Sequence, residues 1–222
     1  RIRITSEKKT GAYIEITMDM LREFGINVTF DGEEYIVDGN QKAVIGDYYI
    51  EPDVSAACYF YAMAAATGGK ITVRNVFESS VQGDMKFLNV LAEMGCEVTE
   101  TKDGITVSRT GGLKGIDVNM NNFSDQALTL AAIAPFADGD TVIRNVGHIR
   151  GQECDRMAAI INELTKCGVA CHISGDDIFI SSGAAHGAEI ETYDDHRVAM
   201  AFTVTGLVTG GMIIDNPMCC RK

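Results

Sequence analysis

The chain has 222 residues, of which 46% are hydrophobic and 23% charged, and it carries a formal net charge of −12. That length can bury a sizeable core and suits one large domain or one and a half. The acidic balance argues against a nucleic-acid backbone as partner, which would need a basic face, but leaves room for a small anion in a locally basic pocket. The longest apolar stretches, such as Ala127–Ala137, are too short to span a bilayer, so no membrane partner is expected. The cysteines (Cys58, Cys96, Cys154, Cys167, Cys171, Cys219 and Cys220) are odd in number and lack CxxC pairs. They read as reduced thiols of a cytoplasmic protein rather than as a disulfide framework or a zinc site.

In chain order, Ile14–Phe24 has helical spacing and is closed by Gly25, with short strands expected near Val28 and Tyr35. An alanine-rich helical run then spans Ser55–Gly69 and leads into the strand Ile71–Val76. In Asp84–Met94 the apolar positions Phe87, Leu88, Leu91 and Met94 fall on one helical face, and Gly95 supplies a left-handed stop. Asp103-Gly104 is a turn signal before the strand Ile105–Ser108.

The same order then returns. Asp125–Gly139 reads as a second alanine-rich helix, and Thr141-Val-Ile-Arg-Asn-Val146 repeats Ile71-Thr-Val-Arg-Asn-Val76. Asp155–Cys167 has Met157, Ile160, Ile161 and Leu164 at helical spacing before Gly168, and Asp176-Asp177 precedes the strand Ile178–Ser181. A third copy begins at Asp195, runs through Ala199–Gly211 and reaches the strand Met212–Asp215. The unit is helix, strand, helix, strand, strand, with a further extended stretch, over roughly 70 residues. Entering one unit halfway and leaving another halfway, and starting at Arg1 without a Met, the chain reads as a fragment of something longer.

On residue types alone, Asp125 reads first as an N-cap for a helix beginning at Gln126. Glu153 and Arg156, three apart, read as an ion pair on one helix face. Asp194-Asp195-His196 are adjacent rather than spaced for one face, and no metal site is expected there.

Four stretches carry a resemblance that covers essentially the whole chain. They are Asn119-Met-Asn-Asn-Phe-Ser-Asp-Gln-Ala-Leu-Thr129, Arg150-Gly-Gln-Glu-Cys-Asp-Arg156, Tyr193-Asp-Asp-His-Arg-Val-Ala-Met200 and Asp215-Asn-Pro-Met-Cys-Cys-Arg-Lys222, with Tyr13-Ile-Glu-Ile-Thr17 and Gln82-Gly-Asp84 beside them. Together they resemble the shikimate-pathway enolpyruvyl transferases, the 5-enolpyruvylshikimate-3-phosphate synthase family. The resemblance implies a mixed α+β fold of repeated βαβαββ units, the α-β prism. It implies that residues 1–50 end a first domain and that residues 51–222 are most of a second, lacking its C-terminal end.

The implied reaction moves the enolpyruvyl group of phosphoenolpyruvate to the 5-hydroxyl of shikimate 3-phosphate and releases phosphate, with no cofactor. By resemblance, Asp125 is the base and acceptor anchor, and Glu153 shuttles the proton of the donor's methylene carbon. Arg156, Arg197 and Lys222 hold the donor, while Thr10, Tyr13, Asp125, His148 and Gln152 contact the acceptor. Thr10 stands where the family commonly has serine, His148 where it has asparagine, and Gln152 where it often has lysine, so a positive charge near the acceptor phosphate is missing. A monomer inhibited by glyphosate is expected of the whole enzyme. The fragment alone is expected to be inactive, because the other half of the cleft precedes Arg1. The competing readings are the sister transferase acting on UDP-N-acetylglucosamine and a non-catalytic binding module; retention of Asp125, Glu153, Arg156 and Arg197 speaks against the second.

Overall fold

A helix that is apolar on every side is stable only when other elements surround it. The computed structural model, which describes residues 1–5, 10–44 and 46–221, places the alanine-rich segments accordingly. It divides into two compact units, residues 1–51 with 80–83 and residues 52–79 with 84–222.

In the smaller unit, strand β1 (Ile2–Arg3), helix α1 (Ala12–Glu23), strand β2 (Val28–Phe30) and strand β3 (Glu34–Val37) follow one another. The strands form an antiparallel sheet in the order β1-β3-β2, with Phe30 stacked on Tyr35 at 4.4 Å between ring centroids. The strands expected near Val28 and Tyr35 are thus present, and Gly25 ends α1 with φ 75°.

The larger unit holds α2 (Val54–Thr67), β4 (Lys70–Arg74), α3 (Lys86–Glu93), β5 (Glu97–Thr101), β6 (Gly104–Ser108), β7 (Leu113–Lys114), β8 (Asp117–Asn119), α4 (Ala127–Ile133) and β9 (Ala137–Asp138). It continues with β10 (Thr141–Arg144), α5 (Arg156–Lys166), β11 (Cys171–Ser174), β12 (Asp177–Ile180), β13 (Glu189–Ile190), α6 (His196–Thr209) and β14 (Ile213–Ile214). With the two-residue β9 set aside, the run β8-α4-β10-α5-β11-β12 is one complete βαβαββ unit. Its four strands form one sheet in the order β11-β12-β10-β8, with β8 and β10 parallel. The preceding copy forms the antiparallel sheet β4-β6-β5, and the following one contributes the parallel pair β13-β14.

Helices α2, α4 and α6 pack on one another as the common core. Alanines let their backbones approach closely: Ala62, Ala64, Ala65, Ala131, Ala132 and Ala201 are all fully buried. The Thr205 hydroxyl on α6 donates to the Ala132 carbonyl of α4 at 2.9 Å, which satisfies the hydroxyl inside the core. Outer helices α3 and α5 bury Phe87, Leu88 and Leu91, and Met157, Ile160 and Leu164, as their spacing predicts; Ile161 is only partly buried. The C-terminal carbonyls of α2 are capped from outside, where the Arg109 guanidinium donates to Ala65 and Ala66.

Two expectations change in the structure. The second alanine-rich helix is shorter than Asp125–Gly139, because Pro135 cannot continue the α-helical hydrogen bonding; Ala134–Phe136 tightens into a 3-10 turn before β9. The strand after each alanine-rich helix also stops early, at Arg74 and Arg144, because the following Asn75 and Asn145 take positive φ values of 62° and 58°. Asparagine tolerates that region better than most residues, which accounts for the repeated Arg-Asn-Val.

The Asp103-Gly104 turn is equally constrained. Gly104 has φ 136°, and a Cβ there would lie 2.2 Å from the Val73 carbonyl oxygen, so only glycine fits.

Phe202→Ala, in the fully buried face of α6, is expected to lower unfolding free energy by about 3–5 kcal/mol. Leu207→Ala on the exposed side of the same helix should stay within about 0.5 kcal/mol. Urea denaturation of both variants checks this, and equal losses would contradict the three-helix core.

Candidate active site

The starts of α2 and α6 come together, and with them the segment leading into α4 and the first turn of α5. The partial positive charge at helix N-termini favours anions, and several carboxylates collect here. Asp53 and Asp155 cap α2 and α5 through the amides of Ala56 and Ala158. Asp195 caps α6 through the Arg197 amide at 2.8 Å, and then does more.

Arg156 lies at the centre, with its side chain only 2% exposed. Its Nε donates to Asp195 Oδ2 at 2.8 Å, and its Nη2 donates to Glu153 Oε2 at 2.6 Å. Its Nη1 donates to Asp125 Oδ1 at 3.3 Å and to the Gln152 side-chain oxygen. Arg197 reaches the same carboxylate from α6, with Nη2 donating to Asp125 Oδ2 at 3.1 Å and to Ser55 Oγ at 3.4 Å. Asp125 therefore bridges the two guanidiniums, and Gln152 Nε2 adds a third donor to it at 3.0 Å.

The structure thus brings together Asp125, Gln152, Glu153, Arg156 and Arg197. His148 stands close by, its Nε2 2.7 Å from the hydroxyl of Ser124, the neighbour of Asp125. Thr10 and Tyr13 belong to the smaller unit, both exposed. Lys222 lies outside the described residues.

Two local readings are corrected. Gln126, not Asp125, occupies the cap position of α4, since Ser124–Gln126 form a 3-10 turn and the α-helix starts at Ala127. Glu153 is not on a helix face, because α5 begins only at Arg156; the bend at residues 152–154 brings the two together instead.

Sequence reasoning gave no role to Asp195, Ser55, Asp84 or Tyr59. Asp195 is wholly buried, and burial alone would raise its pKa; the Arg156 hydrogen bond and charge outweigh this and hold it below the ordinary carboxylate value. Asp84 moves the other way. Burial raises its pKa against hydrogen bonds from Ser55 and Gln126, and the nearby Asp125 charge pushes in the same direction. Its carboxylate accepts from the Ser55 hydroxyl and from Gln126 Nε2 at 3.2 Å. Burial also drives the Tyr59 phenol beside Arg197 up to about 12. Cys154, raised to about 12 by burial and then by the Asp195 charge, stays a thiol that donates to Asp195 Oδ2 at 3.5 Å. Asp195 was legible in principle, since it occupies the helix-start position that Asp53 and Asp155 hold elsewhere.

Chemically, two guanidiniums presented side by side can grip a planar carboxylate, a geometry that suits arginine and not lysine. Glu153, with its side chain 41% exposed, is the most accessible carboxylate on Arg156. Among the described residues, no group of three or more His, Cys, Asp or Glu side chains is placed to hold a metal. Nor is any described helix long and apolar enough to cross a membrane.

Asp195→Ala would leave the Arg156 charge buried without its main partner and is expected to cost about 3–5 kcal/mol in urea unfolding. The native contribution of Asp195 is present above its unfolded pKa and lost as pH falls through its lowered folded value. Asp84 has the opposite sign: its raised folded pKa gives a contribution that is complete below about 3.8 and lost as pH rises through the folded value. Asp84→Asn should therefore flatten that decline, and stability measured from acid to neutral pH should show it; an unchanged profile would contradict the assignment.

The family model of EPSP synthase (3-phosphoshikimate 1-carboxyvinyltransferase) matches residues 1–222. The chain is 44% identical over 212 residues to the 3-phosphoshikimate 1-carboxyvinyltransferase of Nostoc punctiforme, covering 95% of this chain and 50% of that protein. It is 43% identical over 233 residues to 3-phosphoshikimate 1-carboxyvinyltransferase 1, chloroplastic, of Nicotiana tabacum, covering 100% of this chain and 45% of that protein. A solved structure of EPSP synthase from Acinetobacter baumannii superposes with a TM-score of 0.80 at 28% identity, over 97% of this chain and 52% of that one. The chain spans about half the length of the relatives it matches. It belongs to the EPSP synthase (3-phosphoshikimate 1-carboxyvinyltransferase) family.

Proposed function

We propose that this chain contributes the second-domain half of the site of an enzyme that transfers the enolpyruvyl group of phosphoenolpyruvate to the 5-hydroxyl of shikimate 3-phosphate, releasing phosphate. The observation that carries this reading is the Asp125 carboxylate shared by Arg156 and Arg197, with Glu153 on the same Arg156 guanidinium. In the same reading residues 1–50 end a first domain and residues 51–222 form most of a second. The whole enzyme is a cytoplasmic monomer that glyphosate inhibits.

The site makes specific demands on the steps. Arg156 already donates to Asp195, Asp125, Glu153 and Gln152, so a donor carboxylate must take the place of one of them. Among the carboxylate partners Glu153 is the most exposed to exchange, and Asp195, wholly buried, the least. Donor binding therefore frees Glu153 from its ion pair at the moment it is needed as an acid. Protonated Glu153 then gives its proton to the methylene carbon, Asp125 takes the proton of the acceptor hydroxyl, and the oxygen bonds to the donor's central carbon. In the second step phosphate leaves that carbon and takes up the proton held on Asp125, and a proton returns from the methyl group to Glu153, which restores the double bond. General acid–base steps of this kind contribute about 10²–10⁴-fold each.

Gln152 serves Asp125 and Arg156 rather than offering a charge to the acceptor's phosphate. His148, whose Nε2 lies 2.7 Å from the Ser124 hydroxyl, is the proposed contact to that phosphate in the larger unit. The resemblance also assigns acceptor contacts to Thr10 and Tyr13 and a donor contact to Lys222.

The test is phosphate release from phosphoenolpyruvate by the chain extended to the length of its relatives, with shikimate 3-phosphate and UDP-N-acetylglucosamine offered in parallel. Release only with the shikimate acceptor is expected, and Glu153→Ala or Asp125→Ala should reduce kcat by at least about 100-fold. Release only with the nucleotide sugar, or with neither acceptor, would overturn the proposal.

A further inference from the structure

The turn that delivers Asp195 and Arg197 to the site is itself strained. Tyr193 and Asp194 both have φ 53°, two consecutive non-glycine residues in the left-handed region. Each is a conformation that costs free energy and persists only where the surroundings hold it. The hold comes from α5, the helix that also carries Arg156. Seven residues after Arg156, two turns along the same helix, Glu163 has a fully buried side chain. Its Oε1 accepts from the Tyr193 hydroxyl at 2.7 Å, and its Oε2 accepts from the Glu191 amide at 3.1 Å.

Lys166 Nζ neutralises Glu163 at 2.8 and 2.9 Å, and Asn162 Nδ2 donates to the Tyr193 oxygen at 3.3 Å. Burial, and then the Glu163 contact, keep the phenol protonated, its pKa raised to about 12, so it remains a donor throughout the physiological range. The second attachment of the turn to α5 is the Arg156–Asp195 pair, and the Arg197 amide donates to the same Asp195 carboxylate. One helix thus fastens the turn at two points, and the separation between Arg156 and Arg197 follows from both.

We propose that Glu163 and Tyr193 are positioning residues, which hold the strained 193–194 turn so that Arg197 and Arg156 face one donor carboxylate. This rests on the function proposed above, but its consequence for the turn can be measured without turnover. In the protein extended to the length of its relatives, Tyr193→Phe removes one hydroxyl and keeps the ring. KM for phosphoenolpyruvate should rise about tenfold, as losing a hydrogen bond to a charged group implies, with KM for shikimate 3-phosphate within about twofold. Tm should fall by no more than about 4 °C. Glu163→Ala should reproduce the effect, and Glu163→Gln, which keeps an acceptor oxygen, should recover part of it.

Hydrogen exchange followed by mass spectrometry supplies the second readout. The peptide over residues 191–199 should exchange faster in Tyr193→Phe, while the peptide over residues 127–133 stays unchanged. A lowered Tm with KM and local exchange both at parental values would make the pair merely structural and overturn the proposal. Faster exchange in an extended protein that turns over neither acceptor would uphold the positioning of the turn and sink the proposed reaction instead.

Discussion

A guanidinium shut away from water is tolerable only when every face of it meets an acceptor, and Arg156 imposes that condition on its surroundings. Its partners come from separate parts of the chain: Asp125 ahead of α4, Gln152 and Glu153 ahead of α5, and Asp195 at the head of α6. Burying such a cluster gains little stability over a well-packed apolar one, while breaking it strands a charge. Its value here is geometric. The cluster ties three helix starts to one cation and leaves Arg197 and the accessible Glu153 arranged around it.

The core makes that convergence possible. Alanine in the central helices allows close packing, and the βαβαββ repeat returns each helix start to the same end of the unit. The same Ala-rich packing that stabilises the interior therefore also collects positive helix termini and carboxylates at one place. The competing demands are visible in the opposite pKa shifts of Asp195, held down by Arg156 despite burial, and Asp84, raised by burial despite its hydrogen bonds. Of these two buried carboxylates, the one that an arginine faces directly is held down and the other is raised.

Much of this was legible in the chain. The recurrence of Arg-Asn-Val after two alanine-rich runs announced the repeat, and the structure gives its cause in the left-handed Asn75 and Asn145. Asn216 after β14, with φ 46°, marks the same place in the third copy. The outer helices followed from apolar spacing alone, and their glycine stops are left-handed as expected. What the sequence hid is what depends on contacts distant in the chain. Nothing local to Ser55, Asp84 or Tyr59 shows that they lie near Arg197, and nothing local to Glu153 shows that a bend, not a helix, brings it to Arg156. The N-cap reading of Asp125 failed because the capping rule describes one helix end in isolation, whereas this carboxylate is drawn toward two guanidiniums. Gly104 was legible as a turn, though the close approach of Val73 that requires it was not.

The most direct measurement is a crystal structure of the chain extended to the length of its relatives, with phosphoenolpyruvate and shikimate 3-phosphate bound. The donor carboxylate should lie on the Arg156 and Arg197 guanidiniums, with Glu153 released from Arg156 toward the methylene carbon and Asp195 still in place. A donor bound away from both arginines, or Glu153 still paired with Arg156 in that complex, would contradict it.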